Sequence, residues 1–159
     1  MINYPEYKSD LHHIHQSEVY GANVFKMAGR LTFNRERKAK WALLYELEVQ
    51  TLKRFLGYMD ETEQDYHHPS VWACRGHIEG VVLGLLPWSI AMRLLAHETK
   101  SFAAIWQRLK SKFKTSETRF FDYVYAHEKA IEAFATREYQ RNGNSVEPVR
   151  SLLDGLSSA

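Results

Sequence analysis

Residues 41–55 read WALLYELEVQTLKRF and form an apolar stripe that carries one acidic residue. Apolar side chains recur here every three or four positions, which is the spacing of one face of an α-helix. Glu48 stands on this face between Leu44 and Phe55, whereas Glu46 lies off it. The segment therefore predicts an amphipathic helix with a carboxylate on its buried side.

Three further segments show the same apolar periodicity, and each again has one acidic residue on the stripe. Those residues are Glu18, Glu98 and Glu128. A hydrophobic side chain is expected at each of these positions, so every predicted helix contributes one glutamate to the interior.

The spacing of these glutamates suggests that they lie at matched heights. Glu48 follows Glu18 by 30 residues, and Glu128 follows Glu98 by the same number. A predicted turn lies at the midpoint of each pair. Because the rise per residue is constant, two positions equally far from an antiparallel turn share one level. Two such hairpins packed together would bring four carboxylates into one layer.

Turn signals are few and widely spaced, which favours long helices. Four are predicted: from Ser9 or Asp10 to Leu31, from Asn34 to Met59, from Ser70 to Phe113 with a kink at Pro87, and from Thr115 or Ser116 to Asn142-Gly143. The connections predict an all-α, up-down antiparallel four-helix bundle with a crossover over 60–69 between the second and third helices. We expect one domain over residues 1–159, with its core at about 10–142 and a short C-terminal helix within 143–159.

Composition excludes several classes of protein. With a formal charge of +2 and no run of like charges, the chain shows no sign of nucleic-acid binding. Cys74 is the single cysteine, so no intrachain disulfide can form, and the first residues do not resemble a secretion signal. We therefore expect a cytoplasmic protein. The apolar stretch 81–96 is too short to span a membrane and contains Pro87 and Arg93, so it predicts a buried helix.

Buried carboxylates need compensation, because burying a charge costs several kcal/mol unless it is paired. A pair of divalent cations would compensate all four, and glutamate oxygens are hard ligands for such ions. The alternative is that individual glutamates lie at the edge of the stripe and pair with Arg30, Lys26 or a histidine.

Two short segments resemble the ferritin-like superfamily, in particular rubrerythrin-like and demethoxyubiquinone-hydroxylase-like bundles. Glu18-Val-Tyr-Gly-Ala is similar to the ligand segment of the first helix in that superfamily, and His127-Glu128-Lys-Ala-Ile to that of the fourth. The resemblance extends over about Leu11 to Asn142. It implies two irons, or iron and manganese, bridged by glutamates and reacting with dioxygen or peroxide, or a protein that handles iron.

The chain departs from the ferritin-like ligand pattern, which has Glu-x-x-His on two helices. Thr51 follows Glu48 by three residues and Ile131 follows Glu128 by three, so both histidines are replaced. Glu132, one turn after Glu128, and His15, one turn before Glu18, are the expected auxiliary ligands.

The missing histidines leave a second interpretation open. The chain would then be a metal-free bundle that acts as a dimer or binds an apolar ligand, with Pro87 and Trp88 in the pocket wall. Glycines at four-residue spacing give one helix a smooth face, suited to close helix packing or to a homodimer seam. These are Gly76, Gly80 and Gly84.

Overall fold

The computed structural model describes residues 7–63, 65, 69–112 and 118–157. All regular structure in those ranges is helical, as predicted. The helices are α1 (Tyr7–Leu31), α2 (Arg35–Glu61), α3 (Ser70–Leu85), α4 (Trp88–Lys112), α5 (Thr118–Gln140) and α6 (Glu147–Ser157). They group into two compact units, Met1–Leu85 and Leu86–Ala159. The expectation of a single domain stays a prediction.

In the first unit, α1 and α2 form the predicted helical hairpin. The turn is short, and Asn34 caps α2 as expected, with its side-chain oxygen accepting a hydrogen bond from the backbone nitrogen of Arg37 at 3.0 Å. At the other end of the hairpin, α1 already begins at Tyr7 in the described chain. Ser9 and Asp10 therefore lie within its first turn, and the prediction that either caps the helix was wrong.

Two ring contacts and one hydrogen bond between tyrosine hydroxyls fix how α1 and α2 are aligned. From the turn outward, the paired side chains are Phe25 with Trp41, His15 with Phe55, and Tyr7 with Tyr58. The two members of each pair are about equally far from the turn in sequence. The alignment predicted from a constant rise per residue is therefore confirmed for this hairpin.

The glycine face of α3 packs directly on the backbone of α1. A Cβ atom added at these glycines would lie 2.5 Å from the Tyr20 carbonyl oxygen at Gly76, 2.5 Å from that of Val24 at Gly80, and 2.9 Å from that of Ala28 at Gly84. No real Cβ tolerates the first two distances, so only glycine permits this approach. The glycines thus serve close helix packing inside the chain, and the alternative that they form a dimer seam was wrong.

The predicted third helix is two helices. α3 ends at Leu85 and α4 begins at Trp88, so Pro87 marks a break where a kink was expected. Proline has no N–H to continue a helix, and the Pro87 carbonyl instead accepts the backbone N–H groups of Ile90 and Ala91 at the start of α4. The described helices include none with both the length and the hydropathy needed to cross a bilayer.

In the second unit, α5 packs on both α4 and α6. α5 ends close to the predicted stop, where Gly143 adopts a φ of 66° that glycine accommodates without strain. Glu138, near that end, accepts hydrogen bonds from the Trp88 indole at 2.6 Å and from Ser145. The expected caps at Thr115 and Ser116 lie outside the described residues.

Candidate metal-binding residues

Two of the four stripe glutamates lie on the facing sides of α1 and α2 in the first unit. Glu18 and Glu48 are buried on α1 and α2, with 1% and 4% of their surfaces exposed. Glu48 lies opposite Gly21, which is three residues from Glu18 and therefore within one helical turn of it, a rise of about 4.5 Å. The predicted pairing of these two carboxylates at one level of the hairpin is thus supported by contacts within this unit.

Gly21 provides the seat for the Glu48 carboxylate. A Cβ atom added at Gly21 would lie 2.6 Å from Oε1 and 2.7 Å from Cδ of Glu48. The carboxylate therefore occupies the space that any other residue's side chain would fill. This packing holds the head group against α1 rather than leaving it free to rotate, a requirement for a preorganised ligand.

His15 supplies an imidazole one turn before Glu18 on α1. It is buried, and its ring stacks on Phe55 of α2 with the centroids 5.3 Å apart and the planes 25° apart. The stacking fixes the ring plane. Thr51, which stands where the ferritin-like pattern has histidine, is also buried, and its hydroxyl donates to the Leu47 carbonyl at 2.9 Å.

In the second unit, Glu128 lies buried on α5 as predicted, with 5% of its surface exposed. The indole N–H of Trp106 on α4 donates to its Oε1 at 3.4 Å. Trp106 is itself buried. Glu128 thus offers a carboxylate oxygen as a ligand. The Trp106 indole orients that carboxylate, as hydrogen-bonded neighbours do for metal ligands.

Glu98 does not lie on the buried face of its helix, so that prediction was wrong. Glu98 is exposed. The buried face of α4 is rotated about the helix axis from the predicted stripe by slightly less than the roughly 100° between neighbouring residues, so that Leu95 and Thr99 lie inward. Moreover, Trp106, which donates a hydrogen bond to Glu128 from α4, lies eight residues beyond Glu98, about 12 Å along the axis. A layer containing all four glutamates is therefore excluded, while convergence of the other three stays a prediction.

Glu132 is half-buried and paired with a lysine. Its Oε2 accepts a hydrogen bond from Lys129 at 2.5 Å, and this bond raises the pKa of Lys129. A carboxylate already neutralised by an ammonium is a weaker candidate for a cation than Glu128. Its role as an auxiliary ligand stays a prediction.

His127 is a buried imidazole that was not among the ligands predicted from the sequence. Both His127 and Glu128 are buried, because the inward face of α5 is wider than one stripe. A second series at helical spacing was readable in the sequence: Val124, His127, Ile131 and Phe134. The side chains of Glu18, His127 and Glu128 each offer a buried atom that can ligate a metal ion.

No protein-family model, curated protein or solved structure matches the chain. The resemblance to ferritin-like proteins therefore stays a prediction.

The donor set suits a divalent transition metal. Carboxylate oxygens bind Mg²⁺, Mn²⁺ and Fe²⁺, and imidazole nitrogen adds a preference for iron and zinc over calcium. The seat at Gly21 holds the Glu48 carboxylate, and the stack on Phe55 holds the His15 ring, so both donors of the first unit are fixed in place. In the second unit, Glu128 is oriented in the same manner by Trp106.

Proposed function

We propose that this chain is a ferritin-like metal-binding protein that holds iron or manganese through buried carboxylates and imidazoles. The proposed ligands are Glu18, Glu48 and His15 in the first unit, and Glu128 and His127 in the second. Bound iron or manganese would supply redox chemistry with dioxygen or peroxide, or would itself be the cargo of an iron-handling protein.

The observation that carries this proposal is the burial of three glutamates within the described helices. Acidic residues are almost never fully buried unless a favourable electrostatic partner balances the loss of hydration. Here Glu18, Glu48 and Glu128 are each about 95% buried or more. Two imidazoles buried in the same helices supply nitrogen donors, the other ligand type typical of carboxylate-bound iron.

The neighbouring residues have distinct tasks in this proposal. Gly21 seats the Glu48 head group, and Phe55 holds the His15 ring plane. Trp106 orients the Glu128 carboxylate through its indole N–H. Apolar side chains such as Ile131, itself buried, keep water from the donors and so strengthen their attraction for a cation.

Metal analysis of isosteric variants tests the proposal. Glu18→Gln and Glu128→Gln remove one charge each without changing volume, and Glu98→Gln is the matched control because Glu98 is exposed. Protein purified without oxygen should contain iron or manganese. The metal content should fall in each of the first two variants, and at least about tenfold when both changes are combined, since an anionic ligand is then lost in each unit. Equal metal content in all three variants would exclude metal binding by the buried carboxylates.

Chelation gives an independent readout. A ligand present at 100 times its dissociation constant stabilises the folded state by about 2.7 kcal/mol. Removing the metal should therefore lower the melting temperature of the unaltered chain and of Glu98→Gln, and leave that of the double variant, Glu18→Gln with Glu128→Gln, unchanged. An unaltered chain whose melting temperature is the same with and without chelator would support the metal-free alternative.

A further inference from the structure

The turn of the α1–α2 hairpin carries a fully exposed aromatic side chain. Phe33 lies between the two helices and is 99% exposed. It directly precedes Asn34, the capping residue of α2, and a hydrophobic side chain at that position commonly packs on the fourth residue of the helix. The fourth residue here is Lys38, and the exposure of Phe33 shows that no such contact forms. Phe33 therefore contributes nothing to the packing of the hairpin.

Cations surround Phe33 at this end of the hairpin. Residues 30–40 read RLTFNRERKAK and carry a net charge of +4, whereas the whole chain carries +2, so the residues outside this segment carry −2 between them. The one carboxylate of the segment, Glu36, pairs with Lys40 at 2.6 Å. The other four cations are exposed and lie within about one helical turn, or 5 Å, of the turn: Arg30, Arg35, Arg37 and Lys38. We call Phe33 and these four residues the basic tip.

The cations of the basic tip do not stabilise α2. The first turn of a helix attracts carboxylates and repels cations, because its unpaired N–H groups give it a partial positive charge. Three of the first four residues of α2 are nevertheless cations, namely Arg35, Arg37 and Lys38. Charges that oppose the local preference of their own helix are typical of a functional surface.

The neighbouring helix adds no negative charge at this end of the first unit. A Cβ atom added at Gly84 of α3 would lie 3.1 Å from the Cβ atom of Leu31, so the last turn of α3 lies beside the end of α1. Residues 80–85 of α3 are uncharged, and its one carboxylate, Glu79, pairs with Arg75 at 2.6 Å. The positive charge of the basic tip is therefore not balanced by α3.

The shape and composition of the basic tip distinguish between two classes of anionic partner. All seven residues from 33 to 39 are exposed, so this end of the hairpin projects and does not form a groove. A nucleic acid strand is bound along a groove with several stacking rings, and Phe33 is a single ring. A lipid surface instead requires an apolar side chain that enters the interface by about 5–10 Å and cations at the level of the phosphates. The basic tip has both.

We propose that the basic tip binds the surface of a membrane that contains anionic lipids, with Phe33 inserted among the headgroups. The four exposed cations then lie beside the lipid phosphates, at the depth set by one turn of each helix. The association is peripheral, because none of the described helices can cross a bilayer. It is weakened by salt, which screens exposed charges. The proposal does not rest on metal binding.

Sedimentation of the full chain with lipid vesicles tests the proposal. The protein should bind vesicles made of equal parts of phosphatidylcholine and phosphatidylserine, should leave vesicles of phosphatidylcholine alone largely unbound, and should be released by added salt. Arg35→Gln combined with Lys38→Gln should lower the partition coefficient about 25-fold, since each cation contributes about fivefold. Phe33→Ser should lower it at least about tenfold, because the inserted apolar surface is lost.

Each variant has a matched control away from the basic tip. Lys8→Gln combined with Lys53→Gln removes the same net charge from exposed positions. Both lysines lie at least about 20 Å along the helices from the basic tip, twice the Debye length of about 10 Å at about 0.1 M salt. Val49→Ser alters an exposed hydrophobic residue of α2. Both controls should keep the partition coefficient of the unaltered chain, and circular dichroism establishes that all variants are folded.

Three results would overturn the proposal: no binding to either kind of vesicle, equal binding to both kinds, or equal losses in the tip variants and their controls. Single-stranded RNA is the competing partner, and fluorescence anisotropy measures its binding. A chain that binds this RNA and not the vesicles, and loses the RNA with Arg35→Gln and Lys38→Gln, would overturn the proposal in favour of a nucleic-acid surface.

Discussion

Adding one methyl group at Gly80 should force α1 and α3 apart. The Cβ atom of a Gly80→Ala variant would lie 2.5 Å from the Val24 carbonyl oxygen and 2.8 Å from Met27 Cβ. Ordinary contact begins near 3.4 Å, so the helices would have to separate by about 0.9 Å at this point. The obstructing oxygen belongs to the α1 backbone and cannot rotate away.

The size of the effect follows from two opposing contributions. Overpacking typically costs about 1–3 kcal/mol, and a clash with backbone belongs at the upper end of that range. Replacing glycine by alanine inside a helix stabilises it by about 0.8–1.0 kcal/mol. The net expectation for Gly80→Ala is a loss of about 1–2 kcal/mol in the free energy of unfolding.

Gly57→Ala is the control that isolates the packing contribution. Gly57 is an exposed residue of α2 with nothing within 4 Å of its added Cβ, so only the gain in helix propensity remains. It should stabilise the protein by up to about 1 kcal/mol, which places the two variants about 2–3 kcal/mol apart. Urea unfolding followed by far-ultraviolet circular dichroism measures this difference. A Gly80→Ala variant as stable as Gly57→Ala would refute close packing of α3 on α1.

Three further predictions concern the same unit. Asn34→Ala removes the acceptor that caps α2 and should cost about 1 kcal/mol in urea unfolding, whereas Asn34→Gly should cost only a few tenths. Partial burial by itself would raise the pKa of Glu79. Hydrogen bonds from Tyr20 and Arg75 lower the pKa by more than burial raises it, so it lies below its ordinary value of 4.5. The stabilisation from ionised Glu79 is thus complete above the ordinary pKa and is lost as the pH falls through the lower pKa of the folded state. Glu79→Gln should therefore flatten the acid side of a curve of unfolding free energy against pH. Gly21→Ala should displace the Glu48 carboxylate and lower the metal content, while the far-ultraviolet circular dichroism stays unchanged. Metal content equal to that of the unaltered chain would contradict the role of Gly21 in positioning Glu48.

The α1–α2 hairpin could be predicted from sequence because its signals are local and agree with one another. Asn34 is a strong capping residue, the turn is short, and one apolar stripe per helix leaves a single choice of buried face. The positions of Glu18 and Glu48 followed from that face. Glycine spacing likewise predicted a tight helix contact, although sequence could not say that α1 would be the partner.

α4 could not be predicted as well, because its hydrophobic residues surround the helix. Leu94 and Leu95 are adjacent and point about 100° apart, so two buried faces were compatible with the pattern. The structure buries the side with Leu95 and Thr99 and exposes Leu94. Small residues such as Ala96 and Ala103 are buried on that side and allow it to pack closely. A prediction based on the spacing of large hydrophobic residues overlooks such small residues.

The burial of His127 could not be predicted from periodicity for a related reason. A helix that packs against two neighbours buries more than one stripe, and α5 contacts both α4 and α6. The adjacent positions His127 and Glu128 can then both point inward although they differ by about 100°. The number of neighbours of a helix is a tertiary property that its own periodicity does not contain.

α1 packs on α2 along one side and on the glycine face of α3 along another. A change in one of these contacts therefore affects the other. The carbonyls of Tyr20 and Val24 touch the α3 glycines, and Gly21, between them, touches the Glu48 carboxylate. A displacement of α3 that shifts this backbone by a fraction of an ångström also shifts the seat of Glu48. A substitution that moves α3 away from α1, such as Gly76→Ala, should therefore also change the position of the Glu48 carboxylate.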